Sequence, residues 1–215
     1  GKTVSITVEA LKDGSGDVTG EIRVEALADN KAVAAVAGGL VVSVPADQAG
    51  SVLVLVEDDG TETIIRKSVI RNGAVAALVD GSCTVKVVDN AKTFTDTSRH
   101  WAADAIDFVS SRELFNGTSS TAFSPNGEMT RAMLVTVLCR MENEPETAAE
   151  NAFADVPDNT WYTDAVIWAS ENGIVNGVAE GHFDPDANIT REQLAAMMYR
   201  YADFLGMDTA ASGGL

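Results

Sequence analysis

Short runs of β-branched and aliphatic residues punctuate the first ninety positions. Val52-Leu53-Val54-Leu55-Val56 and the stretch from Thr61 to Ile70 flank Asp59-Gly60, a hairpin signal. Asn72-Gly73 and Asp80-Gly81 repeat that punctuation ahead of Ala74–Val79 and Cys83–Val88. Earlier, Thr3–Val8, Glu21–Ala26 and Leu40–Val44 are separated by Gly, Asp and Asn. The pattern predicts a meander of short strands closing as a small sandwich or barrel.

From Phe94 the period changes. Met133, Leu134, Val137, Leu138 and Met141 recur at helical spacing, as do Leu194, Met197, Met198 and Tyr201. The segment is also duplicated. Trp101 and Trp161 are 60 residues apart, and the same offset relates Phe123 to Phe183, Thr130-Arg131 to Thr190-Arg191, and Arg140 to Arg200. Each copy reads as Phe-x-Asp (Phe94, Asp96; Phe153, Asp155), a Trp-led helix, an Asn-Gly turn, an extended Phe-x-Pro stretch, then Thr-Arg opening a second helix. The predicted fold is α+β and multidomain, an all-β sandwich or barrel followed by an α-helical tandem of helix–loop–helix repeats. The expected divisions are a β-rich spacer or interaction domain over 1–93, repeats over 94–146 and 147–205, and a linker over 206–215.

Composition sharpens that division. All 13 Phe, Trp and Tyr residues fall at or after Phe94, so the core of the first part must be aliphatic. Residues 1–93 carry 13 acidic and 9 basic side chains; residues 94–215 carry 19 acidic and 6 basic, all arginine. The overall net charge of −17 argues against nucleic acid and against an anionic membrane surface. The longest uncharged stretch, Ala32 to Ala46, is too short and too rich in Ala and Gly to span a bilayer, so no membrane insertion is expected. The chain opens on Gly1-Lys2 and reads as a piece of a longer exported protein whose signal peptide lies outside it. Cys83 and Cys139 sit in apolar runs and read as free buried thiols.

The two stretches "FTDTSRHWAADAIDFVSSRELFNGTSSTAFSPNGEMTRAML" and "FADVPDNTWYTDAVIWASENGIVNGVAEGHFDPDANITREQL" resemble the S-layer homology repeat along nearly their whole length. That resemblance implies a Gram-positive cell-surface protein, located outside the cell at the wall. It also implies non-covalent attachment to an acidic, often pyruvylated, secondary cell-wall polysaccharide, with ligand grooves between neighbouring repeats. Two features depart from the family. Its tetrad is commonly Thr-Arg-Ala-Glu, whereas here it is Thr130-Arg131-Ala132-Met133 and Thr190-Arg191-Glu192-Gln193. Three repeats are usual and two are present, so a groove that needs the third would be incomplete.

The residues themselves carry both structural and functional readings. Thr130 and Thr190 read first as helix N-caps, and Thr190 with Gln193 fits a capping box. Arg131 and Arg191 would open helices, where the macrodipole disfavours a cation by ~0.3–1 kcal/mol. A docked anion removes that penalty, and a guanidinium can grip a carboxylate through two parallel hydrogen bonds. The alternative is an internal salt bridge. Trp101 and Trp161 read by default as core packing, with sugar stacking as the functional alternative. Asn116-Gly117 and Asn176-Gly177 read as turns, or as places where a missing side chain lets a sugar approach the backbone.

"DGSGD" and "DPDAN" lack full EF-hand spacing and read as turns, and His100 and His182 occupy non-equivalent positions. No metal, no cofactor and no catalytic constellation are expected, so an enzyme is the least favoured class. Wall anchoring leads. Assembly into a surface array by self-association is the alternative. A sugar-binding role for residues 1–93 is disfavoured by their lack of any aromatic platform.

Overall fold

A computed structural model describes residues 4–46 and 48–210. Gly1-Lys2, Thr3 of the first expected strand and the end of the expected linker, 211–215, lie outside the described residues. One compact unit runs to Pro125 and a second starts at Asn126.

Among its described residues the first unit holds nine strands: β1 (Val4–Lys12), β2 (Val18–Ala28), β3 (Lys31–Ala32), β4 (Leu40–Pro45), β5 (Ser51–Val56), β6 (Glu62–Ile64), β7 (Val69–Arg71), β8 (Ala74–Val79) and β9 (Cys83–Asp89). One antiparallel sheet has the order β1-β2-β9-β5-β6, with β3 also pairing β2; the other has the order β4-β8-β7. Val24, Leu53 and Val85 from the first sheet share a core with Val42, Val75, Ala77 and Val79 from the second. This is a sandwich with a wholly aliphatic interior, as the absence of aromatics requires.

Its path is not a simple meander. The stretch Thr61 to Ile70 does not form one strand. It breaks at Arg66-Lys67-Ser68, where the Ser68 N–H donates to the Ile65 carbonyl at 2.9 Å, and passes from one sheet to the other. Asp80-Gly81 likewise marks a crossing, because β8 and β9 lie in different sheets. Asn72-Gly73 does close a hairpin, with Gly73 at φ +73°. In "DGSGD" the Asp13 carboxylate accepts from the Ser15 and Asp17 N–H groups at 2.8 and 3.0 Å, a turn between β1 and β2.

The first unit continues beyond the sheets into helix α1 (Ala103–Ser111). Arg112 joins the two parts. Its fully buried guanidinium donates to the carbonyls of Ser68 at 2.6 Å and Ser51 at 3.3 Å, and lies 3.9 Å from the centre of the Phe108 ring. Burial lowers its pKa to about 10, which still leaves it charged at neutral pH. Asn90 adds a hydrogen bond of 2.6 Å to the Ser111 carbonyl.

The second unit contains α2 (Arg131–Met141), α3 (Thr163–Glu171) and α4 (Arg191–Phe204). Its core gathers Leu134, Val135 and Leu138 of α2, Val166 and Trp168 of α3, Phe183, and Met197 and Tyr201 of α4. Cys139 is buried in it and Cys83 is half-buried; neither is in a disulfide.

The expected α-helical tandem is therefore corrected. The described residues are β-rich, with two antiparallel sheets against only four helices of 9, 11, 9 and 14 residues. Helices this short are marginal alone. The S-layer-homology stretches rely equally on extended segments pinned by side chains, which helical periodicity does not register. No described helix is long and apolar enough to cross a membrane.

Candidate functional site

The Phe-x-Asp aspartates set the frame of each copy. Asp155 accepts from the Phe183 and Asp184 N–H groups at 2.8 and 2.7 Å, and Asp96 accepts from the Phe123 and Ser124 N–H groups at 3.0 and 2.8 Å. A carboxylate thus folds each Phe-x-Pro stretch back onto the start of its own copy. The hydrogen bonds to Phe123 and Ser124 hold the Asp96 pKa below the usual range. For Asp155 burial acts upward, and the hydrogen bonds from Phe183 and Asp184 outweigh it, so the net shift is also downward.

Thr130 caps α2, accepting from the Met133 N–H at 3.2 Å. Thr190 caps α4 in a full capping box, since the Gln193 side chain returns to the Thr190 N–H. The arginines that follow differ sharply. Arg131 is only 3% exposed; its Nε donates to the Phe183 carbonyl at 2.8 Å and its guanidinium lies 4.7 Å from the centre of the Phe183 ring. Burial lowers its pKa, while Asp184 and Asp155 partly restore it. The helix-start N–H groups of Arg131 and Ala132 are occupied by the carbonyls of Ala187 and Pro185, both at 3.0 Å. Thr130 also bridges Asn188, whose amide donates to Glu128. Arg131 is thus a clasp between the copies. Arg191 is exposed and makes no side-chain hydrogen bond among the described residues.

A cavity of about 260 Å³ lies beside that clasp. It is lined by Arg131, Asn176, Gly177, Val178, Gln193 and Arg200, among others, and no carboxylate lines it. Gly177 sits at φ +77°, and a Cβ there would fall 2.5 Å from the His182 carbonyl oxygen and 2.9 Å from the Phe153 ring. Gly177 is therefore required by close packing within its own copy, as Gly117 is against Phe94. Two guanidinium-bearing residues and no carboxylate in that lining give the cavity a positive character.

The structure brings Arg131, Asn176 and Gly177 to this cavity, and leaves other expected residues elsewhere. Trp161 lines a separate cavity of about 370 Å³ with Glu144, Glu146 and Asp164, where an acidic ligand would be repelled. Asn116 and Gly117 belong to the first unit; the space beside Gly117 is filled by the Phe94 ring, which a Cβ would approach to 2.5 Å. Neither expected tryptophan is core: Trp101 is 91% exposed and Trp161 is 59% exposed. Both precede their helices and so escape the helical face that buries Ile106, Ala165 and Val166. Sequence reasoning missed Arg200, Val178 and Gln193 as lining residues. The signal for two of them was present, since Gln193, Ala196, Met197 and Arg200 follow the spacing of one helical face.

Among the described residues no group of three His, Cys, Asp or Glu side chains could hold a metal ion. The first unit thus holds a β-sandwich with one copy of the repeat's Phe-x-Asp and Phe-x-Pro segments, and the second unit holds the positively lined cavity. The S-layer homology domain model matches residues 93–132 and 152–195, and the chain carries this non-catalytic domain in both places. The S-layer protein sap of Bacillus anthracis is 30% identical over 149 residues, 68% of this chain and 18% of that protein. An amylopullulanase of Thermoanaerobacterium thermosulfurigenes is 32% identical over 114 residues, 53% of this chain and 6% of that protein. An endoglucanase of Bacillus sp. (strain KSM-635) is 36% identical over 117 residues, 54% of this chain and 12% of that protein. The chain therefore spans less than a fifth of the length of each of these relatives.

Proposed function

We propose that this chain is a non-covalent anchor that holds an exported protein at the bacterial cell surface by binding a cell-wall polysaccharide. The S-layer homology match, together with relatives as different as an S-layer protein and an amylopullulanase, supports this reading, because a stretch shared by such unlike proteins suits a common attachment role. The finer assignment is an acidic, pyruvylated glycan seated in the cavity of Arg131, Asn176, Gly177 and Arg200. The observation that carries it is the sign of that cavity. Within a strongly acidic chain, its lining holds two arginines and no carboxylate. Long-range repulsion of a polyanion is screened within about 8–10 Å at physiological salt, so the attraction must be local.

Sedimentation with purified Gram-positive sacculi tests this. Arg200 is half-buried and away from the clasp, so Arg200→Ala should keep the fold and weaken binding at least tenfold. Stripping the secondary polysaccharide from the sacculi should abolish binding. Retention on stripped sacculi, or undiminished binding by the variant, would refute the glycan assignment.

A further inference from the structure

The cavity of about 370 Å³ beside Trp161 has the opposite sign to the one that holds Arg131 and Arg200. It lies within the second unit, where α2 and α3 meet the link between them. The carboxylates of Glu144, Glu146 and Asp164 line it, and no lysine, arginine or histidine does. Glu144 is paired with Arg140 at 3.4 Å. Glu146 and Asp164 are exposed and form no ion pair among the described residues.

Acidic residues alone are commonplace in a chain of net charge −17. Two further observations set this cavity apart. Thr136 of α2 lines it, is only 4% exposed, and has a buried hydroxyl with no hydrogen-bond partner. A buried hydroxyl left unmade costs folding stability, which an isosteric valine at this position would avoid. The second observation is the Trp161 ring, which lines the same cavity and stays 59% exposed while Ala165 and Val166 beyond it are buried. An accessible indole beside carboxylates attracts a cation through its negative face.

A metal ion does not suit these donors, since no group of three His, Cys, Asp or Glu side chains among the described residues could hold one. An organic cation suits all of them. We infer that this cavity binds an alkylammonium group, a protonated primary amine on a short aliphatic stem such as a lysine side chain carries. Glu146 and Asp164 supply the opposing charge, the Thr136 hydroxyl accepts from the ammonium N–H, and the stem packs on Trp161 and Ala165. A quaternary ammonium meets the charge and the indole but has no N–H for Thr136, so it is the poorer ligand. The cavity and the charge of its ligand both differ from those of the glycan reading, on which this inference does not rest.

NMR titration of the isotope-labelled 215-residue chain with pentylammonium chloride tests it, beside 1-pentanol and pentyltrimethylammonium. Pentylammonium should give saturable shifts at the Thr136, Trp161 and Ala165 amides and at the Trp161 indole N–H. Pentanol should give none, and the trimethyl analogue should bind more weakly. Trp161→Ala should weaken amine binding by about threefold or more, and Glu146→Gln should weaken it too. Thr136→Val should weaken amine binding while its urea midpoint equals or exceeds that of the parent, which separates a binding role from a packing role. Pentanol binding as tightly as the amine, or shifts spread over the acidic surface without saturation, would overturn the inference. So would full amine affinity in Thr136→Val or Trp161→Ala, or a lowered urea midpoint in Thr136→Val. Because no glycan is present, failure here would leave the anchoring reading standing, and failure on sacculi would leave this one standing.

Discussion

The two copies of the repeat carry nearly the same motifs in different sockets. In the second copy, Phe153, Phe183 and Trp168 are buried together, and Arg131 reaches across from the first copy to seal them. In the first copy, α1 is instead tied to the β-sandwich through Arg112, while Phe123 and Trp101 stay accessible. Thr-Arg is thus a docking device whose role depends on what the chain supplies opposite it. Where a Phe-x-Pro stretch is supplied, the arginine is structural. At Arg191 none is supplied among the described residues, and the same side chain stays in solvent.

Substitutions can break that comparison. Phe183→Ala should destabilise by ~3–5 kcal/mol in urea unfolding, because it empties a fully enclosed site. Phe123→Ala, at a half-buried ring, should cost roughly half of that or less. Next in size is the arginine pair. Arg131→Ala leaves the Phe183 carbonyl without its donor and removes a cation over the ring, for a combined loss of about 2–4 kcal/mol. Arg191→Ala should stay within ~0.5 kcal/mol of the parent. Equal effects from the two arginines would mean that the copies are alike in solution.

The aspartates give a smaller effect with a defined pH dependence. Asp96 and Asp155 have folded-state pKa values below their unfolded values of roughly 3.9, so the folded chain binds protons less readily. Their stabilisation is present above about pH 4 and is lost as the pH falls through the lowered folded values. Asp155→Asn should cost ~0.5–1.5 kcal/mol at neutral pH and flatten the acid limb of the stability profile. An unchanged acid limb would remove the carboxylate from its role as clamp. Trp161→Ala should have the least effect on stability, since that ring is mostly in solvent.

Much of the fold was legible from local pattern. Strands β4, β5, β8 and β9 begin and end within a residue or two of the aliphatic runs, and Thr130 and Thr190 mark the helix starts where their hydroxyls cap. Long-range pairing was not legible. Nothing local in Thr61 to Ile70 says that its ends belong to different sheets, and nothing near Arg112 shows that it would meet the Ser51 and Ser68 carbonyls. The α-helical tandem was over-read because periodicity registers helices and passes over extended segments held by carboxylates. At the candidate groove, Arg131, Asn176 and Gly177 announced themselves by the duplication. The burial of Arg131 and the outward position of Trp101 and Trp161 depend on what packs against them, which no single stretch of sequence encodes.

The central claim is that a positively lined groove in a highly acidic chain holds the wall polymer, and calorimetric titration with the released, purified polysaccharide tests it most directly. The account predicts saturable binding that weakens as salt rises and falls at least tenfold in Arg200→Ala, with Trp161→Ala close to the parent. It also predicts that chemically removing the acidic substituents from the glycan abolishes binding. Equal affinity for the neutralised glycan, or loss of binding on changing Trp161 but not Arg200, would contradict it and move recognition to the carboxylate-lined cavity beside Trp161.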